Sequence, residues 1–242
     1  MKIALIGYGA MGKAIDALAE MEHCEVTSRY DVSQPLTPAT IGNWDVAIDF
    51  SQADAVVRNV EIIAAAGKSL VIGTTGWYAE LPTVKHIVAQ SKIGCVAGTN
   101  FSVGVQMFIR LARAAGMLVN NNADYDVAVH EWHHTRKADS PSGTALTLAD
   151  VLINEIARKE RVETETSHTR LSPQALHVTS TRVGQVTGKH QITIDGVDDR
   201  IELIHDARNR NGFARGALRA ARWVNGKQGY FDFTDVFTQV IV

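Results

Sequence analysis

The stretch that most constrains this chain lies at its start, where Lys2-Ile3-Ala4-Leu5-Ile6 runs directly into Gly7-Tyr8-Gly9-Ala10-Met11-Gly12. The first five residues read as a short buried strand. A helical pattern carried by Ile15, Leu18, Ala19 and Met21 follows the glycines. A strand, a G-x-G-x-x-G turn and a helix make the phosphate corner of a dinucleotide-binding fold. The glycines permit a tight turn and close backbone approach, and the helix start offers free N–H groups to an anion. Such a corner also asks for an acidic residue about 20 positions on, at the end of the second strand, to bind ribose hydroxyls. Glu25-Val26-Thr27-Ser28 reads as that strand, and Asp31, 19 residues after Gly12, supplies the acid. A carboxylate there repels a 2′-phosphate and favours NADH, whereas the nearby Arg29 keeps NADPH open.

The alternation continues. Trp44–Phe50 reads as a strand, Ala53–Ala66 as a helix stopping at Gly67, and Ser69–Ile72 as a strand closing on Gly73-Thr74-Thr75-Gly76. Ile93–Ala97 is a further strand, closing on Gly98-Thr99-Asn100-Phe101. Strands and helices at this spacing imply a parallel sheet of Rossmann type covered on both faces, placed at residues 1–103. From residue 104 the grammar changes. Val105–Leu118 is helical, Asp124–Glu131 alternates at period two, and Ser142–Arg158 is a strong helix. Val178–Val183, Gln191–Asp195 and Arg200–His205 also alternate, with Gly184 and Gly196 among the turns. The expectation for 104–212 is a second, α+β domain on a mixed or antiparallel sheet, for substrate binding and oligomerisation. Residues 213–242 are expected to carry a helix, from Phe213 to Val224, back to the first domain.

Composition excludes several classes. The net charge of −2 gives no basic footprint for nucleic acid. No apolar run approaches the ~20 residues that span a bilayer, and Gly7 and Gly9 interrupt the first apolar run too early for a secretory core. Cys24 and Cys95 form no close-spaced ligand pair. A cytoplasmic protein that needs no membrane or nucleic-acid partner is expected.

His130-Glu131-Trp132-His133-His134 satisfies H-E-x-x-H, the zinc-protease pattern. That chemistry needs His130 and His134 on one helical face. Here DYDVAV precedes the pattern as a strand, and no metal is expected. Histidines without chemistry are the other plain reading. Against it stand the crowding of His130, His133 and His134 beside Lys137 and the loop Ser140-Pro141-Ser142-Gly143-Thr144. That loop opens a helix whose first N–H groups, with the Thr144 hydroxyl, make an anion cradle. Lys137 adds a cation, and His133 can deliver a proton near neutral pH. A nucleotide turn, a proton donor and a carboxylate cradle together describe a reductase for a small acidic molecule.

The run from Glu131 to Ala145 resembles the signature E-x-H-H-x-x-K-x-D-x-P-S-G-T-A of the dihydrodipicolinate reductase family. Gly73–Gly76, Asn100-Phe101-Ser102-Val103-Gly104, Phe213–Ala217 and Gly229-Tyr230-Phe231-Asp232 are also similar to family stretches, in the same order along the chain. The stretch 159–182 is shorter than usual for the family, and the first turn is compact. The resemblance implies His133 as catalytic acid and Lys137 as its partner. It implies that His134, Ser142, Gly143 and Thr144 hold the substrate carboxylates. It further implies that Gly7, Tyr8, Gly9, Ala10, Met11, Gly12, Asp31, Gly73, Thr74, Thr75, Gly98, Thr99, Asn100 and Phe101 line NADH or NADPH. A small dicarboxylate substrate of the diaminopimelate–lysine route and a homotetramer are implied as well. Domain closure is expected to complete the site. The rivals are a Rossmann reductase of another small acid, which substrate profiling would reveal, and a redox-sensing protein that binds NADH without turnover.

Overall fold

The computed structural model describes residues 1–241. The chain divides into two compact units: Met1–Val103 joined by the stretch from Arg210 onward, and Gly104–Asn209.

In the first unit the strands β1 (Lys2–Ile6), β2 (Glu25–Tyr30), β3 (Val46–Asp49), β4 (Ser69–Ile72) and β5 (Gly94–Ala97) alternate with α1 (Ala10–Ala19), α2 (Val56–Ala65) and α3 (Leu81–Ser91). Helix α3 has no counterpart in the expectations above, and α2 begins after a 3-10 turn at 53–55. The second unit follows with α4 (Val103–Asn120), β6 (Asp126–His133), α5 (Gly143–Glu155), β7 (Arg161–Glu163), β8 (Ala175–Arg182), β9 (Lys189–Asp195) and β10 (Arg200–Asp206). The chain then re-enters the first unit through α6 (Asn211–Val224), β11 (Gly229–Asp232) and α7 (Phe233–Val240).

All neighbours in the six-stranded sheet, β11-β5-β4-β3-β1-β2, run parallel. Its side chains alternate between two cores. Ile3 and Leu5 of β1 join Val46, Ile48, Val71 and Val96 beneath α1, α6 and α7. Ala4 and Ile6 face Val56, Val60 and Ile63 of α2 and Val84 and Val88 of α3. With both faces covered, the inner strands β3, β4 and β5 are buried at every residue and are short and mostly apolar, whereas the edge strand β2 stays largely polar. Helix α6 belongs to this core through Ala214, Ala217, Leu218 and Ala221. It packs so closely that a Cβ at Gly216 would lie 1.8 Å from the Phe101 carbonyl oxygen.

The second unit is built on a five-stranded mixed sheet, β10-β9-β6-β8-β7. Strands β10, β9 and β6 are antiparallel, and β6, β8 and β7 are parallel. Val127 and Val129, Leu176 and Val178, and Ile192 and Ile194 point to one face, under Phe108 and Ala112 of α4 and Leu148 and Leu152 of α5. Among the described residues no helix is long and apolar enough to cross a membrane.

Candidate functional site

The nucleotide corner takes shape from β1. Gly7 has φ +86°, a left-handed conformation, and a Cβ there would meet the Phe50 carbonyl oxygen at 2.3 Å. At Gly12 a Cβ would lie 2.4 Å from the Gly7 carbonyl oxygen. These two glycines fold the turn; Gly9 opens it. A Cβ at Gly9 would meet nothing within 4 Å, and no side chain caps the start of α1. Ala10, Met11 and Gly12 therefore begin a helix whose first N–H groups lack intrahelical acceptors. That open, positive helix start fits a pyrophosphate.

The other expected lining residues follow neighbouring strands, so they gather along the same carboxyl edge of the sheet. They do not all have free side chains. Gly73 is roofed by the Phe50 ring, which a Cβ would strike at 2.2 Å. Thr74 is buried, and its hydroxyl donates to Asp49 Oδ1 at 2.9 Å. Asp49, fully buried, also accepts from Ser51 and from Asn59 Nδ2 at 2.9 Å. Thr74 thus braces the β3 and β4 loops from within, while Thr75 is exposed. Gly98 packs against Phe233, Thr99 is exposed, and Asn100 Oδ1 accepts the Ser102 N–H at 2.9 Å. Phe101 is a core residue, 4.4 Å from Phe233 between ring centroids. Only its backbone remains for a ligand. Tyr8 donates its hydroxyl to Asp16. Asp31 stands exposed just beyond β2, where Oδ1 accepts the N–H groups of Ser33 and Gln34 and the Ser33 hydroxyl. Those bonds, the hydroxyl first, hold its carboxyl below the usual range.

In the second unit the period-two pattern of β6 carries Val127, Val129, Glu131 and His133 on its buried face and His130 and Trp132 on the other. The zinc-protease geometry is therefore absent from H-E-x-x-H. His130 turns to Thr179 and Thr181 across β8, the latter at 3.1 Å, away from Glu131.

Glu131 is the centre of the site. It is fully buried, and its Oε1 accepts the Ser142 N–H at 3.0 Å, the Ser180 hydroxyl at 2.8 Å and Arg182 Nη2 at 2.8 Å. Its Oε2 lies 3.0 Å from His133 Nδ1 and 3.6 Å from His190 Nε2. Burial alone would raise its pKa. Contacts from His133, Ser142, Arg182 and Ser180 overcome that and hold it far below the carboxylate range. His190, buried and beside His133, is pushed down to about 4 and is neutral at pH 7. Glu131, His133 and His190 bring ligand atoms within 4.8 Å of one another. Arg182 already supplies positive charge to that carboxylate, so the set suits an imidazole–carboxylate pair better than a dication.

His133 is held on its other side by the 184–188 loop: a Cβ at Gly188 would lie 3.0 Å from His133 Nε2. The loop is tied to the turn after β6, since His134 N–H donates to the Val186 carbonyl at 2.8 Å. Lys137 pairs with Asp139 at 2.7 Å. Its ammonium also donates to the second Asp139 oxygen at 2.9 Å, so one of its three donors remains. At the start of α5, Ser142 is 2% exposed and caps the helix, accepting the Ala145 N–H at 3.2 Å. Its hydroxyl also touches His190 Nε2 at 3.2 Å. Its N–H is given to Glu131, so within the chain Ser142 joins the helix start to the Glu131–His190 cluster. Gly143 is exposed with open space over its Cα, and Thr144 follows half-buried. Sequence reasoning missed Glu131 as the partner of His133, and Arg182 and His190 altogether. The period-two parity of 131 and 133 was the available signal for the first.

Residues 1–101 match the family model described as dihydrodipicolinate reductase, N-terminus, and residues 104–237 the one described as dihydrodipicolinate reductase, C-terminus. The 4-hydroxy-tetrahydrodipicolinate reductase of Christiangramia forsetii is 31% identical over 240 residues, 99% of each chain. That of Methanosarcina mazei is 37% identical over 238 residues, 97% of this chain and 88% of its own. Among solved structures, the dipicolinate-bound dihydrodipicolinate reductase of Paenisporosarcina sp. TG-14 superimposes with a TM-score of 0.77 at 22% identity. That superposition covers 98% of this chain and 99% of the other.

Proposed function

Because the chain belongs to the dihydrodipicolinate reductase family, we propose that it reduces 4-hydroxy-tetrahydrodipicolinate to tetrahydrodipicolinate with NADH or NADPH, on the diaminopimelate route to lysine. The observation that carries this reading is the pairing of His133 Nδ1 with the buried, ionised Glu131, 3.0 Å away, beside the open start of α5. When bound, the reduced nicotinamide supplies the hydride, directed to the ring carbon made electrophilic by loss of the hydroxyl. His133 delivers a proton from Nε2 to the adjacent ring carbon as negative charge develops there. Glu131 fixes the imidazole's orientation and stabilises its charged form, and Arg182 and Ser180 hold Glu131. The substrate carboxylates go to the N–H groups and hydroxyl at Gly143–Thr144, to Lys137 and to His134. Ser142 supports that anchor from behind. In the other unit the turn Gly7–Gly12 takes the pyrophosphate and Asp31 the ribose hydroxyls. A reaction drawing on reduced nicotinamide nucleotides belongs in the cytoplasm, where we place it.

The test follows loss of reduced-nicotinamide absorbance with substrate made freshly by a coupled synthase from pyruvate and aspartate semialdehyde. Oxidation is expected only in the complete mixture. Cofactor binding without such oxidation would move the reading to another substrate or to a binding protein.

A homotetramer built through the second unit's sheet accompanies this reading. Supporting it, Ala128, His130, Trp132, Thr179, Thr181 and Gln191 lie half-buried on the sheet face that their own helices leave uncovered. Light scattering should give four times the 26.3 kDa chain mass. A monomer mass at micromolar concentration would overturn it.

A further inference from the structure

Beside the glycine turn, Asp16 of α1 grips Arg29 of β2. Arg29 Nε donates to Asp16 Oδ2 and Nη2 to Oδ1, each at 2.7 Å, a bidentate fork. Tyr8, between Gly7 and Gly9, donates its hydroxyl to the same Asp16 Oδ2. The guanidinium lies 5.8 Å from the Tyr8 ring centroid. Turn, helix and strand are thereby joined through one carboxylate. The Arg29 side chain is 44% exposed and that of Asp16 18%, so the pair adds little to stability. Its position is more telling. Arg29 precedes Asp31 by two residues, on the edge strand whose end carries the ribose-binding acid. In dinucleotide folds an Arg near that acid is the group that accommodates a 2′-phosphate. Here its Nε/Nη2 fork is already filled by Asp16, which also neutralises its charge. Asp16 and Asp31 against Arg29 leave this corner at −2 + 1 = −1.

We propose that Asp16 is a cofactor-specificity residue: by occupying Arg29 it withholds that cation from a 2′-phosphate, so that the chain selects NADH over NADPH. The inference rests on the cofactor reading above and concerns the choice between two cofactors, not the reaction. No bond is made or broken, and the whole device lies within the first unit. Asp31, bonded through Oδ1 to Ser33 and Gln34, keeps its carboxylate at the strand end whatever Arg29 does. The two acids therefore act separately. Asp31 rewards a ribose with free hydroxyls, and Asp16 denies the alternative its counter-charge.

Dissociation constants for NADH and NADPH are measured by nicotinamide fluorescence without substrate, in the wild type, Asp16→Asn and the double variant Asp16→Asn/Arg29→Gln. Competition by 2′,5′-ADP against 5′-AMP isolates the phosphate. The wild type is expected to bind NADH more tightly. Asp16→Asn should tighten NADPH about tenfold or more and improve 2′,5′-ADP with it, while NADH moves by less than about twofold. The double variant should return the ratio to the wild-type value. A wild type that binds NADPH as tightly as NADH overturns the proposal. So does an Asp16→Asn ratio equal to the wild type's, or a gain that survives in the double variant. Because Asp16 is near the surface, the variants should fold; Asp16→Ser, with a matching thermal melt, repeats the comparison independently. Failure of the wild type to bind either nucleotide would sink the cofactor reading itself, a result distinct from an unchanged ratio.

Discussion

His133→Gln lowers kcat by about 10²–10⁴-fold and leaves the dissociation constant for NADH within about twofold of wild type. The two effects separate because His133 belongs to β6 in the Gly104–Asn209 unit, whereas the glycine turn and Asp31 belong to the other. Gln preserves approximate size and a hydrogen-bonding amide but has no proton to give at neutral pH. The buried slot between Glu131 and Gly188 has room for it, since His133 is 7% exposed and held at both ring nitrogens' sides. Steady-state rates in the coupled assay, with cofactor titrations alongside, read the two quantities. Turnover near wild type would remove His133 from the acid's role. A matching thermal melt guards against the trivial loss of fold.

The reading from sequence was strongest where the signal is local. Lys2–Ile6 followed by Gly7–Gly12 and α1 was legible because strand, turn and helix are contiguous and each glycine has a steric reason. Helix α3 was not. Of its residues only Val84 and Val88 are buried, so Leu81–Ser91 shows a thin apolar stripe and Pro82 obscures its start. The short β7 carries only Arg161–Glu163 and depends on β8 for its existence. The same division runs through the site. His133, Lys137 and the Gly143–Thr144 helix start lie within one contiguous motif. Arg182 and His190 reach Glu131 from β8 and β9, 51 and 59 residues farther along the chain, and only the sheet pairing brings them there. Ser142 is legible in the motif, but its partners are not. The motif marks it, but the fold spends its N–H and hydroxyl on Glu131, Ala145 and His190. The side chains of Phe101 and Thr74 pack on Phe233 and bond to Asp49, contacts that their local sequence does not signal.

Glu131→Gln should lower kcat by about 10²-fold or more, with little change in substrate KM, because it removes the charge behind the imidazole and keeps its shape. Glu131→Asp, which keeps the charge on a shorter side chain, should recover part of the lost turnover. Stability will fall as well. Arg182, 19% exposed, loses its counter-charge but keeps the Thr181 and Asp139 carbonyls as acceptors, so the cost is about 1–3 kcal/mol. The double variant Glu131→Gln/Arg182→Met separates the two roles, since removing both charges recovers much of the melting temperature but cannot restore the counter-charge to His133. If turnover returned together with the melting temperature, Glu131 would be a strut for the fold and nothing more. If the melting temperature alone returned, the carboxylate is what holds the His133 imidazole in place for proton delivery.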